Sequence, residues 1–242
     1  AFSYGSSTLC QIGNSGLPVT SFPVCTYSAT PAGLQINPST GNINLGASNT
    51  GTYTVTHITN GTCPDTASIV LSVVTSPSAT FAYPLPAYCE TAQNPLPVFP
   101  PGSTAGTFTA TPTGLVFANQ FTGEIDLAAS NPGTYNVTNT IPPNAVCPSV
   151  SYTTQIQIGS LPPTANTPAG PTDLCENPAN TQYSTTPLGN TQTYTWTLLP
   201  AAAGTIQSNG PNALVNWSDQ FNGPAGIKVS GGNACGEGES SP

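Results

Sequence analysis

Residues 2–74 and 81–158 carry the same landmarks in the same order, so the chain must fold as copies of one small unit before anything else. Phe2-Ser3-Tyr4 matches Phe81-Ala82-Tyr83, and Cys10 matches Cys89. Ala29-Thr30-Pro31-Ala32-Gly33-Leu34 matches Ala110-Thr111-Pro112-Thr113-Gly114-Leu115. Thr40-Gly41-Asn42-Ile43-Asn44-Leu45 matches Thr122-Gly123-Glu124-Ile125-Asp126-Leu127. Gly51-Thr52-Tyr53-Thr54-Val55-Thr56 matches Gly133-Thr134-Tyr135-Asn136-Val137-Thr138, and Cys63-Pro64 matches Cys147-Pro148.

Within each copy the apolar residues alternate. Tyr53, Val55 and His57 share one face of an extended run, and threonines fill the other. Ala67–Val74 closes the first copy, and Ser149–Ile158 closes the second. Short alternating runs separated by glycine and proline turns predict an all-β sandwich. The third stretch is a variant. Tyr194, Trp196 and Leu198 alternate, as do Ala213, Val215 and Trp217. The sequence therefore predicts three tandem immunoglobulin-like β-sandwich domains over residues 1–75, 80–159 and 165–242. No long run follows Cys235, so the third domain is expected to lack its last strand. Thr75–Ser78 reads as a short linker, and Gly159–Pro171 as a stiff proline-rich one.

Charge excludes several functions. Only 4 % of residues are charged, and Lys228 is the single basic side chain. With a net charge of −8 the chain has no basic stripe for phosphate counterions, so nucleic acid and anionic membrane surfaces are excluded as partners. Disorder is excluded by a 37 % hydrophobic content arranged in alternation. No run of 18 apolar residues is present, so no direct membrane insertion is expected. The sequence has no Met and no leader ahead of Ala1, and reads as an excerpt of a longer processed polypeptide.

Seven cysteines point to an oxidising compartment. Each unit has one near its start and one near its end. The repeat selects intra-unit bridges Cys10–Cys63, Cys89–Cys147 and Cys175–Cys235, with buried free thiols as the alternative. Such a bridge contributes ~4 kcal/mol on the chain-entropy model. Cys25 falls where the second copy has Gly106 and is left as an unpaired thiol. Its readings are a partly buried thiol, an intermolecular bridge or a nucleophile.

Signals for catalysis are weak. Glu124 and Asp126 alternate on one strand but stand where the first copy has Asn42 and Asn44. Asp173 and Glu176 flank Cys175. Solvated strand faces explain these carboxylates, with calcium ligation as the alternative and acid–base catalysis last. His57 reads as a core histidine, because the second copy carries Asn139 there. No hydrolase, zinc or phosphate-loop motif is present, and no cofactor is expected. Tyr53, Tyr135, Tyr194 and Trp196 are assigned to cores. Phe22, Phe99 and Trp217 are the candidates for a carbohydrate-stacking surface.

The Ala29–Leu34, Ser39–Leu45, Gly51–Thr56 and Cys63-Pro64-Asp65-Thr66-Ala67 segments resemble the repetitive cell-surface adhesins of the Bacteroidota, of the gliding-motility, type IX-secreted kind. Tyr194-Thr195-Trp196 and Asn233-Ala234-Cys235-Gly236 look like the PKD-like modules of such proteins. The resemblance implies an extracellular, cell-surface stalk or adhesive segment, non-catalytic, whose partners are other segments of the same chain and a surface polysaccharide or protein. It also implies O-glycosylation at Thr66. Alternatives are carbohydrate-binding accessory modules of a polysaccharide-degrading enzyme, and a subunit of a self-assembling extracellular fibre.

Overall fold

The computed structural model describes residues 1–21, 25–60, 63–175 and 179–242. The first unit contains β1 (Phe2–Ser3), β2 (Thr8–Cys10), β3 (Val19–Thr20), β4 (Cys25–Thr30), β5 (Gly51–Thr59) and β6 (Thr66–Val74). Valine, isoleucine and threonine fill the long runs, where β-branched side chains suit a half-buried pleat. The main sheet has the order β2-β6-β5-β4. β5 and β6 pair antiparallel, but β2 lies parallel to β6, with Cys10 opposite Val74. The β1–β3 pair and the single bridges Ile36↔Ile43 and Asn14↔Asn44 supply the facing layer.

The second unit repeats this with β7 (Ala87–Cys89), β8 (Thr107–Thr111), β9 (Val116–Asn119), β10 (Glu124–Asp126), β11 (Gly133–Ile141) and β12 (Val150–Gly159). Its main sheet has the order β7-β12-β11-β8, and again the short first strand is parallel to the last, with Cys89 opposite Gly159. β9 pairs with β10 on the facing layer.

The third unit contains β13 (Thr181–Ser184), β14 (Thr193–Leu199), β15 (Gly204–Asn209), β16 (Asn212–Trp217), β17 (Gly226–Asn233) and β18 (Gly236–Glu237). Two three-stranded sheets, β13-β16-β15 and β14-β17-β18, face each other. In place of a nine- or ten-residue last strand there is only the two-residue β18. Beyond it, Gly238 and Ser241 donate single backbone bonds to Gly231 and Val229.

Each unit has its own buried cluster, and the alternating runs point inward as their period requires. Tyr53, Val55, Leu71 and Val73 fill the first, Tyr135, Val137, Ile156 and Ile158 the second, and Trp196, Leu198, Ala213 and Val215 the third. The repeated motifs have repeated jobs. Tyr53 donates to the Asn49 carbonyl and Tyr135 to the Asn131 carbonyl, each four residues back, which fixes a corner of the sandwich. Tyr4 donates to the Gly41 carbonyl and Tyr83 to that of Gly123, tying the facing layer across the core. Gly41 has φ +71° and Gly123 φ +77°, and a Cβ at either would strike the ring of Tyr27 or Phe108 at under 3 Å. The Thr-Gly pairs are therefore fixed by ring packing as well as by the turn.

On the outer face hydroxyls replace ion pairs. Thr52–Ser72, Thr56–Ser68 and Thr138–Thr153 pair across strands at 3.2, 3.1 and 2.8 Å. Among the described residues no buried side-chain N or O lacks a hydrogen-bond partner.

The proline-rich stretch differs from its sequence reading. Only its first residues span the units. Ala165 is 2 % exposed in the third core, and Ala169 bridges Ser184, so the second half of Gly159–Pro171 belongs to the third sandwich. The local composition suggests a spacer, but Ala165 is buried in the cluster that holds Tyr183 and Trp196.

Two predictions follow from these cores. Asn139 donates to the carbonyls of Ala79 and Thr104 and accepts from the Gly106 N–H. Asn139→Ala orphans all three, so urea unfolding should show a loss of about 3 kcal/mol; a loss below about 1 kcal/mol would refute this role. Burial raises the Tyr4 and Tyr83 hydroxyls well above their usual value, and burial followed by a bond to Cys25 pushes Tyr27 up to about 12. Unfolded tyrosines ionise near pH 10. The fold keeps these three neutral, so their stabilisation is complete below pH 10 and falls from pH 10 upward. Absorbance at 295 nm should show at least three of the nine tyrosines titrating late in the native protein and normally in denaturant.

Candidate functional site at the module junctions

The two disulfides join neighbouring units. Cys10 of the first unit is bonded to Cys147 of the second, with Cα atoms 5.0 Å apart. Cys89 of the second is bonded to Cys235 of the third, with Cα atoms 5.4 Å apart. The expected pairs Cys10–Cys63, Cys89–Cys147 and Cys175–Cys235 are thus corrected, and Cys63 and Cys175 are both exposed thiols.

The reason is the parallel pairing of the first strand with the last. Cys63 precedes β6, whereas Cys10 lies opposite Val74 at the other end of β6. Nine residues of strand separate them by roughly 28 Å, and Cα atoms beyond about 7 Å cannot be bridged without moving backbone. Cys147 precedes the ten-residue β12 and Cys89 lies opposite its last residue, Gly159. Early cysteines therefore sit at a unit's exit pole and late ones at its entry pole. Consecutive units bring an exit pole to an entry pole.

Local structure presents the late thiols. Asn144 Oδ1 accepts from the backbone N–H groups of Val146 and Cys147 at 2.8 and 2.7 Å. Asn233 Oδ1 accepts from the Cys235 N–H at 2.8 Å. These side chains hold the turn on which each late cysteine sits. In the first junction Cys147 Sγ lies 3.9 Å from the Thr75 carbonyl oxygen. A cleft beside this bridge is lined by Leu9, Ile12 and Leu45 of one unit and Val146 and Pro148 of the next.

The second junction is clamped further. Asn190 and Asn233 both donate to the Ser160 carbonyl, at 2.8 and 2.9 Å. Thr164 donates to Glu239 at 3.1 Å. A Cβ on Gly159 would lie 3.0 Å from Cys235 Sγ, so the end of β12 is kept bare where sulfur passes. Beside it, the Ser230 hydroxyl, and then that of Thr195, hold the exposed Glu237 carboxyl below its usual value.

The other candidate residues have structural places. Asp126 accepts from the Ala129 N–H, just as Asn44 accepts from the Ala47 N–H, so this carboxylate is a turn cap. Glu124 is half-buried on β10. Among the described residues no three His, Cys, Asp or Glu side chains gather as a metal site. His57 is buried, its ring stacked on Phe2 at 5.2 Å and edge-on to Tyr27. Cys25 is 7 % exposed in the first core and takes part in neither bridge, which closes it to an intermolecular bond. Phe99 packs against Phe81 and Phe108, and Trp217 lies edge-on to Tyr183 with its indole N–H donated to Thr181, so both half-buried rings are engaged within their own units. Phe121, 64 % exposed at the β9–β10 turn, is an outward-facing ring that no alternating run marks in the sequence. Thr66 is exposed at the start of β6. Phe22 and Glu176 lie outside the described residues.

Residues 161–242 match the family model of a PKD-like domain. Solved tandem structures resemble the whole chain at low score. Mouse cadherin-23 EC22-24 is 14 % identical, with 99 % of this chain and 96 % of that one covered and a TM-score of 0.30. The I67–I69 I-band fragment of titin is 13 % identical over 99 % and 96 %, with a TM-score of 0.37. Drosophila N-cadherin EC1-4 is 11 % identical over 99 % and 73 %, with a TM-score of 0.35. No curated protein matches the sequence. The chain is an all-β array of sandwich modules, and a PKD-like domain, the sandwich fold and two disulfides are features of extracellular proteins.

The bridges shorten the covalent path through the molecule. From Ala1 it reaches Cys10, crosses to Cys147, runs back to Cys89 and crosses to Cys235, about 77 of 242 residues. At about 3.5 Å per residue the oxidised chain, pulled by its ends, should stop at roughly 270 Å, against roughly 850 Å after reduction. Force spectroscopy in which the oxidised chain yields the longer length would disprove the bridging pattern.

Proposed function

We propose that the chain is a non-catalytic stalk or adhesive segment of a large secreted cell-surface adhesin, of the kind found on gliding Bacteroidota and exported by the type IX system. One observation carries the reading: each junction has two covalent connections, the peptide and a disulfide set apart from it. A single linker lets two beads swing, whereas a second tether offset from the first removes most bending and twist. An enzyme or a compact binding module gains little from such bracing. A projecting stalk that carries tension depends on it.

Other features fit the same role. Cross-strand hydroxyl pairs keep the surface wet without charge. With Lys228 as the only Lys or Arg, trypsin-like proteases find almost no target. The exposed Thr66, within Asp65-Thr66-Ala67, is where this reading places an O-linked glycan. The ligand at the tip of such a stalk is a surface polysaccharide or protein.

Solution scattering tests the stalk. A single globule of 242 residues has a radius of gyration near 18 Å. Three modules of roughly 35 Å set end to end give roughly 30 Å. The oxidised chain should show the larger value, and reduction should broaden the distance distribution. A radius close to that of one globule rules the stalk out.

A further inference from the structure

Two exposed cysteines, Cys63 of the first unit and Cys175 of the third, take part in neither bridge. Cys63 lies between β5 and β6, the place of Cys147 between β11 and β12 and of Cys235 between β17 and β18. The first two match locally as well, since Asn60 stands three residues before Cys63 as Asn144 does before Cys147. Cys63 is therefore at the entry pole of the first unit. Cys175 follows Leu174 as Cys10 follows Leu9, and stands six residues ahead of Thr181, the first residue of β13. The far end of β13, Ser184, is the end joined to β14, whose first residue Thr193 pairs with Gly232 beside the Cys235 turn. Cys175 is the early cysteine of the third unit, as Cys10 and Cys89 are of theirs, and by that equivalence it belongs to the exit pole. Both thiols are exposed.

In both junctions present, an exit-pole cysteine is bonded to the entry-pole cysteine of the next unit. We infer that Cys175 and Cys63 are the two halves of this same junction left open, each built to take the complementary cysteine of a further module of this kind set head to tail. The inference deepens the stalk reading and rests on it: the disulfide series continues past both ends, and a second copy of this chain can supply the missing half.

The chemistry is thiol–disulfide exchange. The Cys175 thiolate attacks one sulfur of a small-molecule disulfide such as oxidised glutathione and releases one glutathione thiolate. The Cys63 thiolate of the next copy then attacks the Cys175 sulfur of the mixed disulfide and releases the second. Two protein thiols are oxidised, and the glutathione disulfide is reduced to two thiols.

Incubation of the chain in a glutathione redox buffer, followed by non-reducing electrophoresis and peptide mass spectrometry, tests this. The expected product is a ladder of linear multimers in which Cys63–Cys175 is the dominant new bridge. Thiols that are merely exposed would give Cys63–Cys63, Cys63–Cys175 and Cys175–Cys175 near 1:2:1, and that outcome, or no bridge, overturns the inference. Cys63→Ser and Cys175→Ser should each remain largely monomeric alone and form one heterodimer when mixed; homodimers of either variant in equal yield also overturn it. In the exported protein, the peptide joined to Cys63 or Cys175 shows whether the neighbour is another copy or another module on the same polypeptide. Recovery of both cysteines as alkylated thiols from that material counts against the idea. Scattering on the Cys63→Ser, Cys175→Ser double variant reports the stalk separately, so a rod that does not join at its ends fails this inference and spares the stalk.

Discussion

Three residues of parallel pairing decide the design of this molecule. Thr8–Cys10 aligned with Ser72–Val74, and Ala87–Cys89 aligned with Gln157–Gly159, place a cysteine beside the point where the chain leaves the first and the second unit. Reversing that strand would carry the cysteine to the other end of the sheet, and sulfur would then close each unit upon itself. Direction along one edge strand therefore separates a series of independent beads from a braced column. Closing a loop of 137 or 146 residues is worth about 5 kcal/mol on the chain-entropy model. The larger effect is geometric, because the second tether acts at a distance from the peptide.

The rest of each unit supports that edge with little charge. Cores of aromatic and branched side chains are fixed by hydroxyl-to-carbonyl bonds from Tyr4, Tyr53, Tyr83 and Tyr135. Buried polar positions differ between copies without loss of partners. His57 stacks on Phe2, whereas Asn139 in the same place binds three backbone groups. Neutral hydrogen bonds do not weaken with salt as surface ion pairs do, so a column built this way is insensitive to ionic strength.

Much of this was legible in the residues. Period-2 alternation puts Tyr53 with Val55 and Trp196 with Leu198 on one strand face, and those side chains fill the first and third cores. Asn44 in the place of Asp126 shows that an amide serves there as well, and both side chains cap the same turn, on Ala47 and Ala129. The pairing of cysteines is not legible locally, because equal spacing within each copy suits an internal bridge and a bridge between neighbours equally well. The deciding signal was present in the length of the final run, since nine residues of strand hold Cys63 and Cys10 far apart. That signal has meaning only once the first strand is known to run parallel to the last, a tertiary fact that no local pattern encodes. Ala165 belongs by sequence both to the proline-rich stretch and to the third domain, and an alanine among prolines gives no periodic cue to the burial that decides between them.

The overlap of the two sulfur loops has one more outcome. The first spans Cys10 to Cys147 and the second Cys89 to Cys235, so every peptide bond between Cys10 and Cys235 lies inside at least one closed ring. A single nick anywhere in that interval, including one after Lys228, leaves both fragments attached. Damage that would sever an ordinary string of domains is here tolerated once at almost any point along its length.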